Sequence, residues 1–406
     1  MVEHRNTRGR LHMLSAVRHT DETDRATTFE LFFDLVYVFA AIQITGYIFR
    51  THSALGVVQG MLLLALLWWT WTGYTWLGNH ARADEGLVRT AMAVATAAVF
   101  VVAVTIPEAW RDAPGGLHGP LVLVCAFLLV RCLHLTVYSI AAGGDPSLRR
   151  QIAVSWIPTA AGAVLLVAGV LLGGAAQTLL FSAALVVDWG GVYLTSLRGG
   201  WRVQSAGHWT ERHGLFVLLA IGESVVAMGV GAAEQTVGAP LILACVLGIA
   251  AVLCLWWLYF DGIAVAAEER MAAAPGQARA KMAIEGYTYG HFVLVAGVIL
   301  AAVGVEGVIA NADETERLDG FYAVALFGGF AVYLAGHLLF SNRLRLPVSR
   351  ARVVTTVLLL AVTPLAAYAP PLAALAGLLA ILVALIAVET RRYSHQRNED
   401  RNAPAP

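Results

Sequence analysis

The sequence predicts an all-α, polytopic membrane protein of about twelve transmembrane helices, and three observations carry that expectation. Of its 406 residues, 58% are hydrophobic and 13% charged, where an ordinary soluble domain carries roughly 25% charged residues. Apolar runs of about 20 residues, the length that crosses a bilayer, recur along the chain with short polar breaks. The basic residues alternate from loop to loop. Of the 27 lysines and arginines, all but four fall in the two tails and in every second loop; Arg50, Arg111 and Arg317 occupy the loops between, and Arg131 lies inside a run. The positive-inside rule then sets both termini in the cytoplasm. A missed or extra helix would invert the alternation in every later loop.

The elements follow in order. Residues 1–27 are polar and hold no short apolar stretch ending in a small-residue cleavage site, so they are expected to form a cytoplasmic tail rather than a cleavable signal. The first six-helix half, 28–196, places spans near 29–49, 54–77, 87–107, 118–141, 151–172 and 175–196. Pro158 sits in the first turns of the fifth, where a kink is expected. Residues 197–210 form a cytoplasmic linker containing the basic Arg198-Gly-Gly-Trp-Arg202. The second half, 211–390, places spans near 211–232, 238–262, 283–309, 321–341, 351–369 and 371–390, the last two separated by the helix-breaking Pro370-Pro371. Residues 391–406 form a second cytoplasmic tail.

The halves echo one another. Glu30-Leu-Phe-Phe-Asp34 opens the first, and Glu211-Arg-His-Gly-Leu-Phe running on to Gly222-Glu223-Ser224 opens the second. Trp68-Trp69 is answered by Trp256-Trp257, and His134-Leu-Thr-Val-Tyr-Ser by His337-Leu-Leu-Phe-Ser. Six helices per half is even, so two copies would share one orientation, as in the parallel repeats of several transporter folds. The alternative is that apolar helices resemble each other by composition alone.

The stretches Glu30–Val36, Glu211–Phe216 with Gly222-Glu223-Ser224-Val-Val, and Trp256-Trp257-Leu-Tyr-Phe-Asp261 resemble the low temperature requirement protein A family of bacterial membrane proteins, over roughly residues 20–390. His213 departs from that pattern, where an aromatic Phe is expected. The resemblance implies a polytopic fold in a bacterial cytoplasmic membrane; it implies no reaction.

A charged side chain at mid-bilayer costs roughly 2.5–3.5 kcal/mol on insertion scales, so each one needs a reason. Glu30 and Asp34 lie four residues apart on one face of the first helix, with Asp34 about 8 Å into the hydrocarbon core. They are expected to form a proton-carrying or acid/base pair, unless Glu30 only caps the first turn. Glu223, beside a glycine that would admit a close neighbour, must be protonated, hydrated, or paired with a cation such as Arg131. Arg131 and His134 share a face and either neutralise acids or bind an anionic group. Asp188, followed by Gly190-Gly191, is read equally as structural or functional. Glu223, Asp34 and Asp188 are thus the candidates for proton transfer or general acid/base work. Arg131, His134, His337, Trp69, Trp256 and Asp261 are the candidates for substrate binding. Their common depth points to a polar cavity between the halves, open to the cytoplasm.

Other classes find less support. His134, His291 and His337 could serve a relay, a metal or plain hydrogen bonding, but no metal-ligand spacing is present. No motif implies a cofactor. Cys125, Cys132, Cys245 and Cys254 all lie in apolar segments, as small core residues would. A net charge of zero gives no case for nucleic acid, and the sequence says nothing of oligomeric state. Trp69, Thr72 and Trp76 share a helix face and could line a pocket or simply pack. The expected partners are membrane lipids and a small-molecule substrate. The leading expectation is a proton-linked secondary transporter. The alternative is an intramembrane enzyme, such as a cyclase or isomerase acting on an isoprenoid. A role in membrane adaptation without turnover is the third.

Overall fold

The structure, a computed structural model, describes residues 17–402 apart from Arg198 and Glu234, with side chains described as far as Arg391. Arg5, Arg8 and Arg10 of the first tail, Arg198 of the linker and the side chains of Arg392, Arg397 and Arg401 lie outside the described residues. Within them the chain forms twelve helices, and the only β-bridge joins His19 to Ala81.

The first six are α1 (Thr28–Thr51), α2 (Ala54–His80), α3 (Gly86–Thr105, continued by a 3₁₀ turn Ile106–Glu108), α4 (Gly119–Ala141), α5 (Pro146–Leu172) and α6 (Gly174–Ser196). The second six are α7 (Ala206–Ala233), α8 (Ala239–Ala273), α9 (Gly276–Ala310), α10 (Gly320–Leu344), α11 (Arg350–Ala366) and α12 (Pro371–Asn402). Eleven are long and apolar enough to cross a bilayer; α11, with 17 residues, is the shorter twelfth. Each expected span coincides with one helix. π-Helical turns interrupt α8 at Tyr259–Ile263 and α9 at Ala283–Gly290.

Local chemistry sets the helix starts. Thr27 and Glu30 form a reciprocal capping box at α1. Ser53, Asp145, Asp319 and Ser349 cap α2, α5, α10 and α11 through side-chain oxygens. Pro371 opens α12, where its missing N–H costs nothing.

The described residues divide into two compact units: 17–219 with 268–288, and 220–267 with 289–402. In the first, α2 is the enclosed helix, touching α1, α3, α4 and α6, and its segment Leu63–Ala81 is buried throughout. In the second, α9 and α10 pack backbone to backbone. A Cβ at Gly297, Gly304 or Gly329 would overlap the main chain at Tyr333, Leu326 or Ala301 respectively. Small residues let apolar helices approach this closely where lipid offers no hydrophobic drive between them.

Three local expectations change. Open space, not a close neighbour, surrounds the Cβ position of Gly222, because that glycine faces away from the packed side of α7. Gly191 does seat Pro158 of α5, but Gly190 meets nothing. Of the cysteines only Cys254 is buried; Cys125 and Cys132 are exposed and Cys245 half-buried. A thiol is apolar enough to sit toward lipid as readily as in a core.

Candidate functional site

The first unit holds two buried ionic clusters, both touching α2. In one, the Asp34 carboxylate of α1 accepts two hydrogen bonds from Arg212 of α7, Nη1 to Oδ2 at 2.6 Å and Nη2 to Oδ1 at 2.9 Å. The Trp71 indole N–H of α2 donates to Oδ1 at 2.7 Å. One turn back, Glu30 meets His208 Nε2 at 3.0 and 3.2 Å, and its Oε1 lies 3.6 Å from Arg212 Nε. Glu30 also accepts from the backbone N–H and hydroxyl of Thr27, each at 2.9 Å. Gly78 of α2 leaves the space its carboxylate fills. Asp34 and Arg212 are both 0% exposed.

Hydrogen bonds on both ring nitrogens orient His208 in this arrangement. The Asn79 side-chain oxygen accepts from the Gln204 N–H at 2.8 Å, and its nitrogen donates to the Ser205 carbonyl at 2.7 Å. That nitrogen also faces His208 Nδ1 at 3.2 Å, so Nδ1 accepts and Nε2 carries the hydrogen that it donates to Glu30. Two carboxylates then face one guanidinium, and one negative charge is left over unless a proton is held. The α1 N-terminus and the Thr27 donors offset part of that excess.

The second cluster balances by itself. Asp188 of α6 faces Arg131 of α4, with Nη2 to Oδ2 at 3.1 Å. The hydroxyl of Thr159 in α5 donates to Asp188 Oδ1 at 2.8 Å, and the Trp69 indole donates to Oδ2 at 2.7 Å. One acid meets one cation. Each guanidinium also lies 5.5 Å from a tryptophan ring, Arg131 over Trp69 and Arg212 over Trp71. The tryptophan run of α2 thus supplies indole donors and ring faces to both clusters. Trp68 and Trp76 donate to Thr288, at its carbonyl and its hydroxyl.

Arg131 therefore pairs with Asp188, one of the acids open to it in the sequence. Glu30 both caps α1 and binds His208, so its capping role excludes nothing. His134 packs against Gly73 and the rings of Tyr74 and Tyr138. His213, the departure from the expected aromatic, occupies an aromatic slot among Trp68, Trp71, Trp209 and Tyr287.

In the second unit Glu223 is fully buried. His337 Nδ1 meets Arg352 Nη1 at 2.8 Å, and Arg352 Nε meets Glu389 at 3.0 Å. The Tyr259 hydroxyl, at the π turn of α8, meets His291 Nε2 at 2.8 Å. Trp256 and Asp261 are exposed, and Trp256 stacks on Phe260. They do not join the buried groups. Among the described residues, no three His, Cys, Asp or Glu side chains are placed to hold a metal ion.

Arg212, Arg352 and His208 were missed as site residues. The two arginines fell at span edges, where arginine is ordinarily an orientation signal, and His208 lay before the expected start of α7. Their one visible signal was position. Arg212 is the second residue of a run whose first turn, Glu211-Arg-His-Gly214, is charged and polar, as a span edge ordinarily is.

A multi-pass helical bundle whose interior charges are paired across helices defines a polytopic membrane protein. The family model of the bacterial low temperature requirement A protein, LtrA, matches residues 25–387, and the chain belongs to that family. It is 28% identical over 329 residues to an uncharacterized protein of Rhizobium meliloti (strain 1021), covering 78% of this chain and 77% of that one. No solved structure matches.

Proposed function

We propose that the protein is a proton-linked secondary transporter of a small molecule in the bacterial cytoplasmic membrane, with both termini cytoplasmic. In this reading Glu30, Asp34, His208 and Arg212 are the proton-exchanging group. The carrying observation is their charge: two acids face one arginine and one imidazole, a buried set whose balance turns on a single proton. An excess charge in low dielectric is costly unless offset, and here it is partly offset by the helix end. Protonated and deprotonated states are then both accessible, as exchange requires.

Protonation of Asp34 would weaken its bidentate hold on Arg212 and so loosen α1 from α7. A helix contact whose strength depends on a proton is what coupling to a gradient needs. Asp188 and Arg131, balanced without a proton, serve as a fixed tie between α4 and α6. Glu223 remains the acid of the second six-helix half in this scheme, and His134 and His337 stay neutral neighbours of Arg131 and Arg352.

The intramembrane cyclase or isomerase is less well supported. A wall that stabilises a carbocation needs open ring faces, and Trp69 and Trp71 already cover guanidinium groups.

Untargeted mass spectrometry of cells and medium, comparing wild type with Asp34→Asn, tests the proposal. Transport predicts that the same compounds shift across the membrane with wild type only, and that an uncoupler abolishes the shift. A product of new mass or isomeric retention, absent from the variant, would replace transport by chemistry. Reporter fusions at both termini test the orientation; an external signal from either would reverse it.

A further inference from the structure

At the end of the first unit opposite Asp34, a pocket of about 830 Å³ opens between the end of α1, the start of α2, the turn after α3 and the start of α6. That volume lies within the roughly 300–1,000 Å³ of ordinary ligand sites. Two arginines line it, Arg50 and Arg111, and no carboxylate does. They are two of the three basic residues in the loops that the charge alternation leaves nearly empty of them. Neither enters an ion pair with a described residue; Glu108 and Asp112 of the same turn accept from the backbone N–H groups of Ala113 and Gly119, so both guanidinium groups are left for an anion in the pocket.

Its depth and walls narrow the ligand. The Arg50 guanidinium folds back over Gly46, with Nη1 3.0 Å from where a Cβ would stand. An arginine at a span end ordinarily reaches outward to water; this one reaches a full turn inward. The floor is closed by bonded polar groups, the Tyr47 hydroxyl donating to Gln59 at 2.6 Å and Gln59 to the Thr178 hydroxyl at 3.1 Å. The rim is apolar and open, with Leu55 57% and Leu179 70% exposed. Trp110 stands at the turn, as aromatic residues do at the headgroup level.

We propose that this pocket binds the phosphate-bearing headgroup of an anionic phospholipid from the outer leaflet. Arg50 and Arg111 hold the phosphate, and the acyl chains leave along Leu55 and Leu179. A free organic phosphate shares the charge but not the chains, and nothing in its chemistry would use a rim that faces lipid.

The full-length protein in detergent is titrated with phosphatidylglycerol or phosphatidylcholine, and bound lipid is counted by native mass spectrometry. Wild type is expected to prefer phosphatidylglycerol. Arg50→Gln/Arg111→Gln should weaken that binding about 30-fold, from roughly 1 kcal/mol per basic residue near the surface. Arg111→Gln alone, on an exposed turn, should weaken it about fivefold and covers the case in which the double variant folds poorly. Arg149→Gln/Arg150→Gln, which removes two exposed arginines elsewhere, should leave the tight site intact. Equal loss in that control, or no loss in Arg111→Gln, would overturn the site. Displacement of the lipid by glycerol phosphate at matching concentration would overturn the lipid assignment in favour of a free anion.

Discussion

Asp188→Asn and Asp34→Asn remove the same charge from the same type of buried pair, yet the structure separates their costs. In the Asp188 cluster, Arg131 has one ionic partner at 3.1 Å and a neutral one, Thr159, at 3.0 Å. Neutralising Asp188 leaves a buried guanidinium without a counter-charge, which costs about 3–5 kcal/mol against a total stability of roughly 5–15 kcal/mol for a domain. In the Asp34 cluster Glu30 stays 3.6 Å from Arg212. At an effective dielectric of about 20, charges at that distance still attract by about 5 kcal/mol, against about 6 at the 2.6 Å of the lost contact. Arg212 thus keeps most of its compensation. The asparagine can still accept from Trp71, and the loss should be about 1–2 kcal/mol. Thermal unfolding of the purified variants in one detergent, followed with a thiol-reactive dye, ranks them directly. Asp188→Asn should melt well below Asp34→Asn, and Arg131→Met/Asp188→Leu should recover much of the difference, since removing both partners of a buried pair is often neutral. If Asp34→Asn melted as low as Asp188→Asn, the spare carboxylate would not compensate Arg212, and the charge argument for proton exchange would fail with it.

Trp71→Phe keeps a ring beside Arg212 but deletes the donor to Asp34, and should cost about 1.5–3 kcal/mol, the range for a hydrogen bond to a charged group; the same melting assay reads it. Gly304→Ala places a Cβ into the backbone of α10 at Leu326 and should cost about 1–3 kcal/mol or more, seen as a collapse in monodisperse yield. Gly222→Ala, with open space at its Cβ, should express like wild type. Asp84, in the loop after α2, is held below the usual carboxylate range by its hydrogen bond from Arg82, at 2.8 Å. A depressed carboxylate stabilises the fold above its unfolded titration range, and the contribution is lost as pH falls through the folded one. Asp84→Asn should therefore lower the melting temperature slightly near neutral pH and not at about pH 2, the effect being small because Asp84 is one-third exposed.

The helices were legible because a bilayer-crossing run needs no tertiary information: length and hydropathy suffice. The buried acids were legible for the same reason, since Asp34, Asp188 and Glu223 stand alone in apolar runs. Their partners were not. Arg131 could have served any of three acids, and only the packing of α4 against α5 and of α5 against α6 brings it to Asp188. Arg212 carried the same signal as the other 22 basic residues of the tails and alternate loops. The tryptophans of α2 announced themselves by number, but sequence does not say which indole donates to what. Trp69 and Trp71 are two residues apart, about 200° around a helix, which is why one helix can serve two clusters on different sides. Gly222 shows the converse error. A glycine beside a buried acid suggests a close approach, but in lipid a glycine can also face outward at little cost.

The pairing of α1 with α7 bears on topology independently of any count of loop charges. Glu30 meets His208 and Asp34 meets Arg212. Both steps are four residues, and both ascend the chain. Antiparallel helices would pair the later residue of one with the earlier residue of the other, so the starts of α1 and α7 run in the same direction. Two helices that cross a bilayer in the same direction must be separated by an odd number of crossings. Five helices, α2 to α6, lie between them, so each of these must cross or an even number must fail to. α6 is the least enclosed of the five, yet it carries Asp188, which is tied through Arg131 to α4 and through Thr159 to α5. A helix bonded at mid-length to two spanning neighbours is held at their depth. The ion pairs that place the charges therefore also hold the least enclosed helix of the five, and parallel starts of α1 and α7 are what five crossings between them would produce.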